Sequence, residues 1–224
     1  LEAMEERQVT ISGNTMVLKQ PFFVMATQNP IEMEGTYPIP EAQLDRFIFK
    51  LQVLSPGHQA LKTILDRTTS NEEYEIKKVF DSEIAGKRVA EMKTLVREVM
   101  ISSEIEDFIV RFIMATHPEQ NIYGSGKNNG EPQPGKPVNN DYASKFISYG
   151  SSPRGAQAIA LASKVLALLD GRANVSYDDV RKIAVPALNH RLVLNFEAEA
   201  ENIKSEELIH KIVEDLETYG NKTK

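Results

Sequence analysis

The chain contains no cysteine, which excludes disulfides and thiolate metal sites and leaves the redox compartment undetermined, although a cytoplasmic location fits. Its apolar runs all fall far short of the roughly 20 residues that span a bilayer, so no membrane span is expected. Basic residues are not in excess: 26 stand against 32 acidic ones, for a net charge of −6. No general attraction to nucleic acid or anionic membrane follows, and a helix-turn-helix nucleic-acid binder built from the pattern after Val99 is disfavoured. The four histidines, at 58, 117, 190 and 210, lack metal-ligand spacing, and His190 beside Arg191 reads as structural. What is present in quantity is apolar residue, 41% of 224, ample for the core of one large or two small domains.

The stretch from Pro21 to Phe49 organises the rest. Phe22 to Thr27 is continuously apolar rather than alternating, which fits a strand covered on both faces, as at the centre of a parallel sheet, or a buried helix segment. Pro30 drives Asn29 into an extended conformation, so Asn29 is expected at the carboxyl end of that strand, the edge where open α/β sheets bind ligands. A loop rich in Pro, Gly and acidic residues follows (31–40), then a short helical turn from Glu41 to Arg46 and a second apolar run, Phe47 to Leu51.

Four segments, ATQNP at 26–30, EGTYPIPEAQLDRF at 34–47, SPRGAQA at 152–158 and NHRLVLNFEAEAE at 189–201, together resemble the MoxR family of AAA+ ATPases, in this order and over most of the chain. The resemblance implies an α/β fold: a partial AAA+ P-loop-type core with a parallel sheet, at 1–70, followed by an all-α lid domain at 71–224. It also implies roles. Asn29 would be the sensor-1 residue, Arg46 the arginine finger and Arg154 sensor 2, with ATP and Mg2+ as cofactors. The partners implied are a homo-oligomeric, hexameric ring, a von Willebrand factor A domain protein, and a client enzyme matured by chaperone-like action or metal-cofactor insertion. The family's Walker A loop and Walker B strand have no counterpart here. The sequence is therefore read as the carboxyl-terminal portion of a longer ATPase, and this chain alone is expected to be inactive.

Around these motifs the pattern is mostly helical. Leu1 to Arg7 reads as a helix end. Gln8–Ile11 and Thr15–Leu18 read as strands flanking a tight Ser12-Gly13-Asn14 hairpin, either a plain surface hairpin or, as in AAA+ relatives, one facing a pore or partner. Ser55-Pro56 has the form of a helix opening, with Leu61, Ile64 and Leu65 on one face, and a polar linker is placed at 68–75. Helices are expected at 84–99 and from a Ser103 capping box to about Thr116, with Val110, Phe112, Ile113 and Met114 in the core. Gly124-Ser125-Gly126-Lys127, in the long loop 121–141, is a decoy. A phosphate loop needs Gly where Asn121 stands and Ser or Thr where Asn128 stands.

Ser152-Pro153 opens the helix that carries Arg154, and Gly171 stops it. An arginine in a helix's first turn meets the positive end of the macrodipole, at a cost of roughly 0.3 to 1 kcal/mol that a bound anion would reverse. With the free amides of that turn, and Gly155 permitting close approach, this is a candidate phosphate corner. Further helices are expected from Ser176 and over Ser205–Tyr219, the last burying Leu208, Ile209, Ile212, Val213 and Leu216.

Each site residue also has a structural reading: Asn29 as a capping residue before Pro30, Arg46 paired with Asp45 or Glu41, Arg154 paired with a neighbouring carboxylate. The competing functional reading is a non-enzymatic helical interaction module on a degenerate ATPase platform, in which Asn29 and Arg46 would be replaceable.

Overall fold

The structure is a computed structural model that describes residues 2–28, 39–70, 77–118 and 141–222. Asn29, the loop decoy at 124–127 and most of the expected linker lie outside the described residues. Helix α1 (Glu2–Glu6) leads into a hairpin of β1 (Gln8–Ile11) and β2 (Asn14–Val17), in antiparallel register from Gln8 opposite Val17 to Ile11 opposite Asn14. The turn is two residues long, Ser12 at φ 50° and Gly13 at φ 83°. Two positive φ angles define the turn whose twist matches its flanking strands, so Asn14 belongs to β2 rather than to the turn.

Phe22 to Gln28 runs without regular structure and pairs with no strand among the described residues. Phe23 and Met25 are 78% and 82% exposed. The apolarity on both faces is that of a sheet interior, but a ladder needs neighbouring strands, and none of the described residues supplies one. Helices α2 (Glu41–Leu44) and α3 (His58–Thr69) follow. The α3 helix begins after Gly57, not at Ser55. Gly57 takes the cap position in an extended conformation, φ −68° and ψ 167°, and glycine caps nearly as well as serine. The expected face of Leu61, Ile64 and Leu65 is exposed.

Helix α4 (Ser82–Glu98) follows, with Ile84, Met92 and Leu95 exposed, and the core lies in the helices after it: α5 (Ser103–Ala115), α6 (Asp141–Phe146), α7 (Pro153–Leu169), α8 (Tyr177–Leu188), α9 (Phe196–Ala200) and α10 (Ser205–Lys222). In α5, Ile105, Phe108, Ile109, Phe112 and Ile113 are buried, the three-and-four spacing of one helix face. Val110, expected inside, is half exposed because it lies off that stripe. The cap is Ser102, one residue before the expected Ser103, and its hydroxyl accepts from the Ile105 amide at 3.4 Å. That phase turns Ile105 inward.

Helix α7 ends where Gly171 adopts φ 71°. There the Gly171 amide donates to Leu168 and the Arg172 amide to Ala167, at 3.0 and 2.8 Å, the paired closure that a left-handed residue permits. Helix α8 opens on Asp179, which is fully buried. Its carboxylate accepts from the Ser176 amide and hydroxyl at 2.8 and 2.9 Å, and from both terminal nitrogens of Arg172 at 2.8 and 2.7 Å. The Arg172 bonds in particular hold the Asp179 carboxyl down, to about 2.

Strands β3 (Ile147–Tyr149) and β4 (Val193–Leu194) pair antiparallel. Helix α10 buries Leu208, Ile209, Ile212, Val213 and Leu216 as expected, but it runs past Gly220 to Lys222. An isolated glycine costs a helix only about 1 kcal/mol and need not end it.

Candidate functional site

The α7 amino terminus, where Arg154 sits, is fastened to the end of α5. The Ser151 amide donates to the Thr116 hydroxyl at 3.0 Å. The Ser151 carbonyl is 3.0 Å from His117 Nε2, and since a carbonyl only accepts, that nitrogen carries the proton. Gly150 allows the approach, because a Cβ there would lie 2.7 Å from the Thr116 carbonyl oxygen. Ser152 caps the helix, its Oγ accepting from the Arg154 amide at 3.2 Å, with Pro153 in the first turn.

Two features of the expected phosphate corner are corrected here. The Arg154 amide is taken by the Ser152 cap, and the Gly155 amide donates to the Ser152 carbonyl at 2.9 Å, so neither amide is free. Gly155 faces inward: a Cβ would stand 2.0 Å from Ser151 Oγ and 2.9 Å from Leu188 Cδ2. Its missing side chain lets α7 approach α8 rather than admitting an anion.

The guanidinium of Arg154 is what reaches outward. Its Nη2 donates to Glu5 Oε1 at 2.7 Å, and its Nη1 lies 3.4 Å from Asp45 Oδ2. Arg46, just past α2, pairs through Nη1 with the other Glu5 oxygen, Oε2. Two cations 108 positions apart in sequence thus converge on one carboxylate supplied by α1. The expected pairing of Arg46 with Asp45 or Glu41 is replaced by Glu5, while Arg154 does have carboxylate partners. Arg46 Nε is buried and has no acceptor among the described residues, an unmet donor that costs roughly 1–3 kcal/mol where it stands.

Asp45 is the second anion of the cluster. Ser152 Oγ donates to both its oxygens at 2.9 Å, and Arg191 Nε donates to Oδ1 at 3.0 Å. Arg191 is buried, its side chain 2% exposed. Burial pushes its guanidinium pKa down, and hydrogen bonding to Asp45 opposes this. Beside it, His190 Nε2 is 3.0 Å from the Phe47 carbonyl oxygen, and burial holds the imidazole at about 4, so it is neutral at pH 7. Among the described residues three guanidiniums face two carboxylates in this cluster, one positive charge more than negative. Such a surplus, with an unmet N–H, fits an additional anion rather than a cation. No group of three or more metal-ligating side chains occurs among the described residues.

Glu5, Asp45 and Arg191 were not singled out as site residues from sequence. The available signal for Arg191 was a polar triplet, Asn189-His190-Arg191, set between the apolar runs of α8 and β4.

Known proteins resemble the chain over most of its length. A family model described as the ATPase family associated with various cellular activities (AAA) matches residues 1–49, and one described as the AAA lid domain matches 140–212. Uncharacterized protein YeaC of Bacillus subtilis is 36% identical over 95% of the chain and 58% of its own length. Chaperone MoxR1 of Mycobacterium tuberculosis is 33% identical over 96% of the chain and 51% of its own length. The chain therefore spans about half the length of the curated relatives it matches. The crystal structure of a candidate ATPase from Cytophaga hutchinsonii superposes with a TM-score of 0.80 at 32% identity, covering 96% of this chain and 59% of that one.

Proposed function

Because the chain belongs to the MoxR family of AAA+ ATPases, we propose that it carries the arginine finger, Arg46, and the sensor-2 residue, Arg154, of a chaperone-like ATP-hydrolysing ring. The observation that supports this reading is the meeting of both guanidiniums at Glu5. A carboxylate shared by two arginines offers them the kind of acceptor edge that a phosphate would offer, and a phosphate offers more charge and more acceptors. The unmet Arg46 Nε adds a donor to the same cluster. The residues present thus fit the anionic end of ATP, while ligands for Mg2+ are not among them.

The nucleotide, when bound, supplies the phosphoryl group. This chain's residues supply position and charge. An arginine finger can act across a subunit boundary, and Arg154 shares its carboxylate. Both are therefore read as meeting the nucleotide of the same neighbouring subunit, which requires an oligomer, with a hexameric ring as the proposed form. Asn29, read as sensor 1, would hydrogen-bond the attacking water or the γ-phosphate. The division into a core portion at 1–70 and a lid at 71–224 belongs to the same proposal, as does negligible hydrolysis by this chain alone. The client side, maturation or metal-cofactor insertion in a partner enzyme alongside a von Willebrand factor A domain protein, rests on the family resemblance.

In the full-length protein, Arg46→Ala should lower turnover by roughly 10³-fold or more, the usual contribution of an arginine finger, while ATP affinity is largely spared. Mixing those subunits with Asn29→Ala subunits should restore part of the activity. Wild-type turnover by Arg46→Ala would refute the finger assignment, and absence of rescue would count against shared sites. Arg154→Ala with unchanged affinity and unchanged turnover would remove sensor 2. The interaction-module reading requires that Asn29 and Arg46 be replaceable with no loss of partner binding.

A further inference from the structure

The short segment from Asp45 to Lys50 carries Arg46, and the end of α8 holds it at nearly every step. Arg191 uses all five of its N–H donors. Nε bonds the Asp45 carboxylate, Nη1 bonds the carbonyls of Ile48 and Ala187, and Nη2 bonds the carbonyls of Asp45 and Phe47 at 2.9 and 2.6 Å. That last nitrogen spans Arg46, gripping the peptide on each side of it. The remaining contacts extend the grip. His190 Nε2 donates to the Phe47 carbonyl at 3.0 Å, Asn189 Nδ2 to the Lys50 carbonyl at 3.2 Å, and the Lys50 amide to the Pro186 carbonyl at 2.9 Å.

A joint of this kind need not contain a buried charge. Burying a guanidinium costs several kcal/mol before its bonds offset it, and apolar packing can hold two segments together as firmly. The planar fork adds direction: five donors at fixed angles fix both the place and the orientation of the backbone they bind.

We infer that Arg191 is a positioning residue for Arg46, locking the backbone that presents the finger to the carboxyl end of α8, with Asp45 linking that lock to Arg154 on α7. The finger then moves with the helical unit, and an anion that shifts Arg154 also shifts Arg46. This rests on reading Arg46 as the residue that meets a neighbour's nucleotide.

The test is a double-mutant cycle in the full-length ATPase, read by single-turnover hydrolysis, ATP affinity and thermal melting. Arg191→Lys keeps the charge but reduces five forked donors to three on a flexible stem. A finger displaced by about 1 Å can lose on the order of 10²-fold in rate, so a loss of that order is expected with ATP affinity within a few fold. In an Arg46→Ala background the same substitution should change the residual rate less than about twofold, because the side chain it positions is gone. If Arg191→Lys does not fold, Asp45→Asn, nearly isosteric but without the charge and with one acceptor oxygen turned into an amide donor, goes through the same cycle. A wild-type rate in either variant, or a loss that persists undiminished without Arg46, overturns the inference. A wild-type rate in Arg46→Ala alone overturns the reading beneath it, and the two failures are told apart by that single variant.

Discussion

Alanine at position 155 should destabilise the chain, although alanine ordinarily stabilises a helix. A Cβ on Gly155 would stand 2.0 Å from Ser151 Oγ and 2.9 Å from Leu188 Cδ2, and both Ser151 and Leu188 are fully buried. The serine hydroxyl could rotate, but only within a closed space. The leucine could retreat only by pushing α8 away from α7. Helix propensity favours alanine over glycine by about 1 kcal/mol, while forcing a methyl into a filled core costs about 1–3 kcal/mol. With two obstructions under 3.0 Å the steric side wins, for a net loss of about 2 kcal/mol at the top of that range. In a chain of this length that lowers the melting temperature by roughly 4–8 °C.

Gly86 supplies the control. It lies within α4, and a Cβ there meets nothing closer than Pro21 Cδ at 3.5 Å, an ordinary contact. Gly86→Ala should therefore raise stability by up to about 1 kcal/mol. Thermal unfolding followed by circular dichroism measures both. If Gly155→Ala melts at or above wild type while retaining its helicity, the close approach of α7 and α8 is wrong, and with it the placement of Arg154.

Asp179→Ala removes the acceptor for Ser176 and for Arg172 at once. Because Arg172 is 36% exposed and can be hydrated, the expected loss is about 2–3 kcal/mol rather than that of a fully stranded charge, and denaturant midpoints within 0.5 kcal/mol of wild type would contradict it. The Asp179 carboxyl is depressed from 3.8 to about 2, so its contribution is present above pH 3.8 and disappears as the pH falls through about 2. His190 acts at milder pH. It is held at about 4 when folded against 6.5 when free, so below 6.5 the unfolded chain binds a proton that the folded chain refuses. Stability should fall by about 2 kcal/mol between pH 7 and pH 5 on this account. His190→Gln should flatten that slope in denaturant titrations, and an unchanged slope would assign the acid sensitivity elsewhere.

What the sequence discloses about this fold follows the range over which each interaction acts. The hairpin, the α10 stripe and the Ser152-Pro153 helix start are legible because the residues that decide them lie within about one or two turns of each other. Even there, adjacent candidates blur the boundary. Ser102 and Ser103 can both cap, and only the direction of Ile105 chooses between them. The Phe22–Thr27 run has the apolarity of a covered strand, but a strand is a relation to neighbours, and the described residues contain no neighbour for it.

The candidate site shows the other limit. Arg46 and Arg154 lie in motifs, yet contacts that assemble the site reach across 146 positions from Asp45 to Arg191 and 149 from Glu5 to Arg154. No local period encodes such pairs. What local reading can recognise is cost: a polar triplet such as Asn189-His190-Arg191, enclosed by buried apolar residues, must find partners or destabilise the core. Arg191 finds its acceptors in the backbone that flanks Arg46, so the demand of one buried charge is met by fixing the position of another that is partly exposed. That transfer of constraint makes the geometry at Arg46 sensitive to the helical unit, and it explains why a residue to which the resemblance assigns no role belongs with the two to which it does.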